Sequence, residues 1–381
     1  MKILVLGGDG YLGWPTTMYL ASQGHEVWSV DNYLRRNMAF NYGCNPLVNN
    51  PSLVMRAEIF RSVSGNEIRP IIMDCSNYEK LSKLINEFKP DCVVHYAEQP
   101  SAPFSMIDYE AAKLTLNNNV NTTFNLIWAI KENCPECHIV KLGTMGEYGT
   151  PDIDIEEGYL EVEHNGRKDT FLYPRQAGSL YHTTKILDTD LLWFYVRMNG
   201  LSVTDLMQGP VYGLETDQTA LDENLGLNFH YDELFGTVLN RFIVQAVCGF
   251  PLTVYGSGGQ TRGYLNIRDT LKCIELSALN PPKLGELRIM NQFTECFTVM
   301  ELAKKVQEAA EGMGIDVSIN MIENPRKEKE EHYYNAKRTR LVELGLEPTL
   351  MTTKVLQSML EYVAGYKNAI NTKIINPSVK W

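Results

Sequence analysis

Over the first two hundred residues, short and mostly apolar runs alternate with segments whose apolar positions recur at helical spacing. The short runs lie at 3–6, 26–30, 68–73, 92–95, 138–142 and 202–206. Runs of that length, bounded by turn residues, predict strands buried on both faces. The helical segments lie at 12–23, 54–63, 78–88, 109–133 and 179–198. Strand followed by helix, repeated, predicts an α/β fold with a doubly wound parallel sheet.

Beyond residue 210 the pattern loosens. Residues 217–234 are polar and turn-rich, 235–249 predict a helix, 252–254 a short strand and 299–312 another helix. Residues 324–334 are polar and charged, which predicts a loop beside a ligand. The expected division is a first domain over 1–210 and a smaller α/β substrate lobe over 211–381, with parts of 237–275 returning to the first domain.

Composition changes this picture little. The chain has 381 residues, 44% apolar and 21% charged, an ordinary globular balance. Its net charge of −11 argues against nucleic-acid binding. An anionic ligand must then be held by a few local arginines and helix N-termini. No apolar stretch reaches the length of a membrane span. With a strand predicted from Lys2, no signal or transit character is expected of the N-terminus, and eight scattered cysteines fit a reduced cytoplasm. Cys134-Pro135-Glu136-Cys137 has redox or zinc spacing, but without a second ligand pair it reads as a helix-end turn.

The chemistry begins after the first strand. Gly7, Gly10 and Gly13 close that strand and open a helix, as a dinucleotide-binding turn requires: one glycine for the turn, one for approach of a pyrophosphate, one for helix–strand packing. Asp31 ends the second strand, where its carboxylate can accept hydrogen bonds from ribose hydroxyls and repel a 2′-phosphate. NAD is therefore expected over NADP. Arg35 and Arg36 cut against this, since they could meet a 2′-phosphate or be solvated surface residues. Tyr11, Asn32, Arg35, Cys75, Ala97 and Val211 are further candidate cofactor contacts. Asp74 either flanks the adenine or caps the helix at 78. His95 reads as a core histidine.

Tyr181 and Lys185 stand four apart on one helix face, where an ammonium can lower a phenol's pKa and make it a usable base. Thr144 ends the fifth strand and can share the hydrogen bond to a substrate alcohol. Gln208 follows the sixth strand, near the sugar or merely in packing. His182 and Glu147 are candidates for further proton transfers. The alternatives are a core or capping role for His182 and a loop anchor for Glu147.

Glycine turn, strand-end acid, threonine and Tyr-x-x-x-Lys in this order resemble the extended short-chain dehydrogenase/reductase family. Asn119 matches that family's helix asparagine. Residues 260–269, with Gln260 and Arg262, and the Asn324-Pro325-Arg326 stretch look like its segments that hold a nucleotide-sugar, to which Asn240 and Tyr255 are added. More specifically, the runs 141–159, 252–262, 330–337 and 377–381 are similar to the UDP-sulfoquinovose synthase family. The resemblance implies that UDP-glucose and sulfite give UDP-sulfoquinovose and water with transient reduction of NAD. It also implies a homodimer or higher homo-oligomer, for which helices 109–133 and 179–198 could form a seam, and leaves open a sulfite-delivering partner enzyme. Relatives generally carry an arginine after Glu-Gln; here Glu98-Gln99 precede Pro100, so another cation must serve if that arginine holds sulfite or sugar. Sugar-nucleotide 4,6-dehydratases carry Asp-Glu after the threonine, whereas this chain has Met145 and Gly146. Other readings are a UDP-sugar 4-epimerase or dehydratase, and a non-catalytic NAD-binding regulator.

Overall fold

The computed structural model describes residues 1–326, 329 and 331–376. The similar runs at Glu330 and at 377–381 therefore lie in part or wholly outside the described residues. In chain order the first half is β1 (Lys2–Leu6), α1 (Gly13–Ser22), β2 (Glu26–Asp31), α2 (Leu34–Asn41), α3 (Leu53–Ser64), β3 (Ile68–Ile72), α4 (Tyr78–Phe88), β4 (Cys92–His95), α5 (Tyr109–Asn133) and β5 (His138–Thr144). A hairpin, β6 (Tyr159–His164) and β7 (Arg167–Leu172), precedes α6 (Leu180–Asn199), β8 (Ser202–Gln208) and β9 (Val211–Tyr212). The remainder is α7 (Val238–Cys248), β10 (Leu252–Tyr255), β11 (Thr261–Asn266), α8 (Ile267–Leu279), β12 (Leu287–Gln292), β13 (Glu295–Thr298), α9 (Val299–Glu311), β14 (Ile319–Ile322), α10 (Arg340–Glu343) and α11 (Thr353–Gly365).

Seven parallel strands form the main sheet in the order β12-β8-β5-β4-β1-β2-β3. Side chains alternate across it. Leu4, Leu6, Val93 and Ile139 enter one core with α4, α5 and α6, while Ile3, Val5, Val94 and Val140 enter the other with α1, α3 and α8. Both faces are thus dry, and the strands read as apolar runs for that reason. The order reverses on the two sides of β1, and the crevice outside the carboxyl ends of such strands is where a ligand binds in this architecture.

The sheet does not end at β8. β12 pairs with it in parallel, from Leu287↔Val203 to Gln292↔Gln208, and α8 packs with α1. The chain thus crosses back to the large sheet through α8 and β12. α7 stays in a separate core with β10, α9 and α11, built on Phe242, Leu252, Val306 and Leu360. Helix ends follow local chemistry. Asp108 accepts from Ala111 N–H to start α5, Ser179 from His182 N–H to start α6, and Gly200 at φ 69° ends α6. Cys134 ends α5, and Cys137 N–H returns to its carbonyl at 2.9 Å, the helix-end turn expected there.

Candidate functional site

A cavity of about 670 Å³ opens along the carboxyl ends of the strands. Gly7, Gly10, Tyr11, Gly13, Asp31, Asn32, Arg35, Asp74, Cys75 and Ala97 line it, together with Thr144, Tyr181, Gln208, Val211 and Asn240.

The glycine turn is closely packed. A Cβ on Gly13 would stand 1.9 Å from the Gly7 carbonyl oxygen, and one on Gly8 would stand 1.8 Å from Ser29 Oγ. Gly7 itself adopts φ +86° with its N–H on the Val30 carbonyl at 2.8 Å. A Cβ on Gly10 would meet nothing closer than 3.4 Å, so this glycine faces the cavity with room for a phosphate. Asp31 accepts the N–H of Asp9 at 2.9 Å and of Tyr33 at 2.7 Å. Burial, then the neighbouring Asp9 charge, pushes its carboxyl up to about 6.

Of the two arginines suspected of meeting a 2′-phosphate, Arg36 is engaged elsewhere, while Arg35 lines the cavity. Arg36 pairs with Asp9 and donates to the Asn50 and Pro51 carbonyls, each at 2.7 Å. The fully buried Arg56 joins the same carboxylate at 2.5 Å and stacks on Trp14. Asp9 thereby ties the glycine turn to the excursion after β2. Arg35 is not a solvated residue either: its guanidinium lies 3.4 Å from the Phe235 ring centre, and burial lowers its pKa to about 9. The carboxylate at Asp31, the open Gly10 and the absence of a spare cation in Arg36 fit NAD.

Asp74 keeps its place as a cofactor candidate, and Asn119 does not. Asn77, not Asp74, caps α4; Asp74 accepts Ser76 N–H at 2.8 Å and lines the cavity. Asn119 does not reach the cavity. Fully buried, it accepts Gln99 N–H at 2.7 Å and donates to the Gln99 carbonyl and Thr184 Oγ1, bracing the loop after β4 against α6. Its neighbour Asn118 lines the cavity instead.

Thr144 ends β5 and accepts the Gly146 N–H at 3.1 Å, so its own hydroxyl proton remains to be donated. Tyr181 opens α6, its N–H held by Ser105 Oγ at 3.1 Å. The expected acidification of this phenol by Lys185 is not what the ligand-free chain shows. Burial first, then the Glu98 charge, raises the Tyr181 pKa, while Lys141 opposes them. Lys185 Nζ donates to the Leu142 carbonyl at 2.6 Å and forms an ion pair with Glu98, lying 6.0 Å from the Tyr181 ring centre. Sequence reasoning missed Glu98. The available signal was an acid directly after the small residue that follows a buried strand.

Glu147 is an anchor. Wholly buried, it accepts from Thr189 Oγ1 at 3.2 Å and pairs with Arg175 and Lys141, and it does not line the cavity. His182 packs on Gly146, where a Cβ would stand 2.3 Å from Nε2, and shares a hydrogen bond with Ser179 Oγ at 3.0 Å. Burial, then the charges of Arg262 and Arg326, lowers its pKa to about 3, so the ring is neutral.

The remaining sugar-nucleotide candidates divide. Gln208 and Asn240 line the cavity; Gln208 donates to Gln292 and Asn240 to the His230 carbonyl. Tyr255, Gln260, Arg262 and Arg326 gather in a second cluster beside it, outside its present wall. Arg241, next to Asn240 on α7, donates to Tyr255 Oη at 3.1 Å, and Arg326 lies 5.8 Å from the same ring's centre. Arg262 contacts His332 Nδ1 at 2.5 Å. Both amide atoms of the buried Gln260 lack a hydrogen-bond partner among the described residues, an arrangement that a polar ligand would complete.

Comparison with known proteins agrees with this geometry. Residues 3–291 match the model of the NAD dependent epimerase/dehydratase family. The chloroplastic UDP-sulfoquinovose synthase of Spinacia oleracea is 50% identical over 380 residues, covering 100% of this chain and 79% of that protein. The UDP-sulfoquinovose synthase of Sulfolobus acidocaldarius is 44% identical over 384 residues, covering 100% and 98%. Among solved structures, the UDP-glucose 4-epimerase of Bifidobacterium longum, in complex with NAD⁺ and UDP, superposes with a TM-score of 0.72 at 20% identity, covering 97% of this chain and all of that one. That last likeness establishes the fold. With its glycine turn, Asp31 and the Thr144–Tyr181 wall on one cavity, the chain belongs to the UDP-sulfoquinovose synthase family, a branch of the NAD-dependent epimerases and dehydratases.

Proposed function

We propose that the chain converts UDP-glucose and sulfite into UDP-sulfoquinovose and water. One observation carries the reading: a single cavity is walled both by the glycine turn and Asp31 and by Thr144 and Tyr181. Gly7, Gly10, Gly13 and Asp31 would hold NAD, which when bound takes a hydride from the sugar C4 and later returns it. Tyr181 removes the proton from the C4 hydroxyl, and the Thr144 hydroxyl orients that oxygen. The ketone formed at C4 acidifies the C5 hydrogen, so a base can take it and the C6 hydroxyl can leave. Sulfite then adds at C6 of the resulting enone, and C5 is reprotonated.

His182, the candidate for the C5 and C6 proton transfers, adjoins Tyr181 with ring centres 5.1 Å apart, but it does not line the cavity and its lowered pKa makes it a weak base, so its part is to pack beside Tyr181. Gln208 and Asn240 would contact the sugar, and the cluster of Tyr255, Gln260, Arg262 and Arg326 the nucleotide and its pyrophosphate. Gly146 bears on the choice against a 4,6-dehydratase: a side chain there would displace His182. A regulator that only senses NAD has no need of Tyr181 in the cavity wall. Sulfite, whether free or handed over by a partner enzyme, belongs to this reading, as does a cytoplasmic setting.

The test incubates the purified chain with NAD and UDP-glucose, with and without sulfite, and identifies the products by mass. A sulfonated nucleotide-sugar is expected only with sulfite. Tyr181→Phe should lower kcat at least about a hundredfold while NAD stays bound. An epimerised or dehydrated UDP-sugar as the end product, or unimpaired turnover by the variant, would defeat the reading.

A further inference from the structure

The two lysines near Tyr181 are buried, and so are the carboxylates that face them. Lys185 and Glu98 are each almost inaccessible, at 4% and 3% side-chain exposure, and in direct contact. His95 Nε2 lies 3.3 Å from the other Glu98 oxygen and 3.2 Å from Thr123 Oγ1. Among the described residues no further donor reaches that carboxylate. Burial lowers His95 to about 4, so its ring is neutral and Lys185 is the cation that compensates Glu98. Burial alone would raise the Glu98 carboxyl; the positive charges around it, Lys185 first, instead hold it below the usual range. Glu98 also lines the cavity beside Thr144 and Tyr181.

We infer that Glu98 is a positioning residue: its carboxylate anchors the Lys185 ammonium beneath the cavity and fixes the charge that the Tyr181 hydroxyl faces. The inference rests on the function proposed above and concerns its first proton transfer. Tyr181 is faced by Glu98 from the loop after β4, Lys141 and Glu147 from β5 and its loop, and Asp188 from α6, with Lys185 6.0 Å from its ring centre and His182 beside it; His95 stands behind Glu98, and Asp205 behind Lys141. Asp188 is pushed well above the usual carboxyl range, by burial first and then by Glu98, and it does not line the cavity. Glu147 and Asp205 are occupied by Lys141, Arg175 and Thr189. Glu98 is thus the acid in the cavity wall that acts on both Lys185 and the phenol.

Replacing the carboxylate by its amide removes one negative charge beside the phenol and frees Lys185 to approach it. Both effects favour the phenolate, so the phenol should ionise at lower pH. The experiment adds UDP-glucose to full-length E98Q and wild-type protein with NAD and no sulfite, and follows nicotinamide reduction across pH. The acid limb of the rate should move down by about one pH unit, with KM for UDP-glucose unchanged. A lowered rate with the limb in place would mean a merely structural role and overturn the inference. If E98Q does not fold, E98D keeps the charge but shortens its reach. It should show the wild-type limb with a reduced kcat, and a displaced limb or an unreduced kcat would overturn the inference. Because sulfite is left out, failure to make a sulfonated product in the wild type defeats the functional reading without touching this measurement.

Discussion

Several residues in the site can be assigned to chemistry or to structure by what they touch. Glu147 has its carboxylate consumed by Thr189, Arg175 and Lys141 in a fully buried network. Removing one member of a buried charge network leaves the others uncompensated. Glu147→Gln should therefore cost about 3 kcal/mol of stability in a urea titration, while the protein that remains folded keeps most of its kcat. A stable variant with collapsed kcat would return Glu147 to the chemistry. His182 differs. With its pKa depressed to about 3, the ring stays neutral at every pH where the protein would be assayed. An acid limb between pH ~5 and ~7 in the wild-type rate cannot then be its titration. We expect His182→Gln to lower kcat but leave that limb where it was; a limb that vanishes would show that the imidazole titrates in the working range.

At the scale of elements, the turn from β1 into α1 decides whether a dinucleotide can be held. The three glycines are not interchangeable. Gly13 packs directly on the Gly7 carbonyl, whereas Gly10 has open space before it. Gly13→Ala must push α1 away from β1, an overpacking cost of roughly 1–3 kcal/mol. It should also move the helix N-terminus that would face the pyrophosphate. Calorimetry should show a lower Tm together with weakened NAD binding, and full NAD affinity in a destabilised variant would separate the two effects. The helices α4 and α5 have the bounds expected from periodicity, because Asn77 and Asp108 cap them and their apolar faces meet one core. The elements that periodicity did not reveal are α2, the β6–β7 hairpin, β9, β11 to β14, α8, α10 and α11. Several of these are short or exposed: β6 and β7 bury no residue, so no apolar pattern marks them.

Over the whole molecule, α5 and α6 carry a row of exposed apolar side chains: Tyr109, Leu116 and Phe124 on one helix, Leu187, Phe194 and Met198 on the other. The two helices pack side by side. Exposed apolar side chains on two packed helices fit a symmetric partner, and we propose a homodimer. Replacing Phe194 and Met198 together by glutamate should give a monomer by sedimentation without loss of fold. An unchanged sedimentation coefficient would place the interface elsewhere. Among the described residues no helix is long and apolar enough to cross a membrane.

The linear order of residues was enough to establish the parallel α/β sheet, the glycine turn with Asp31, and the Thr144, Tyr181 and Lys185 positions. Each depends on local spacing: strand length, a turn, one helical turn between two side chains. The partner of each charge could not be known that way. Arg36 and Arg56 close on Asp9, Lys185 on Glu98, and Glu147 on Lys141. These contacts join segments brought together by the sheet, and in a buried site the pairing decides which charges remain for chemistry. Likewise β12 completes the large sheet from beyond residue 280, because edge pairing with β8 is a long-range hydrogen-bonding choice that no local pattern encodes.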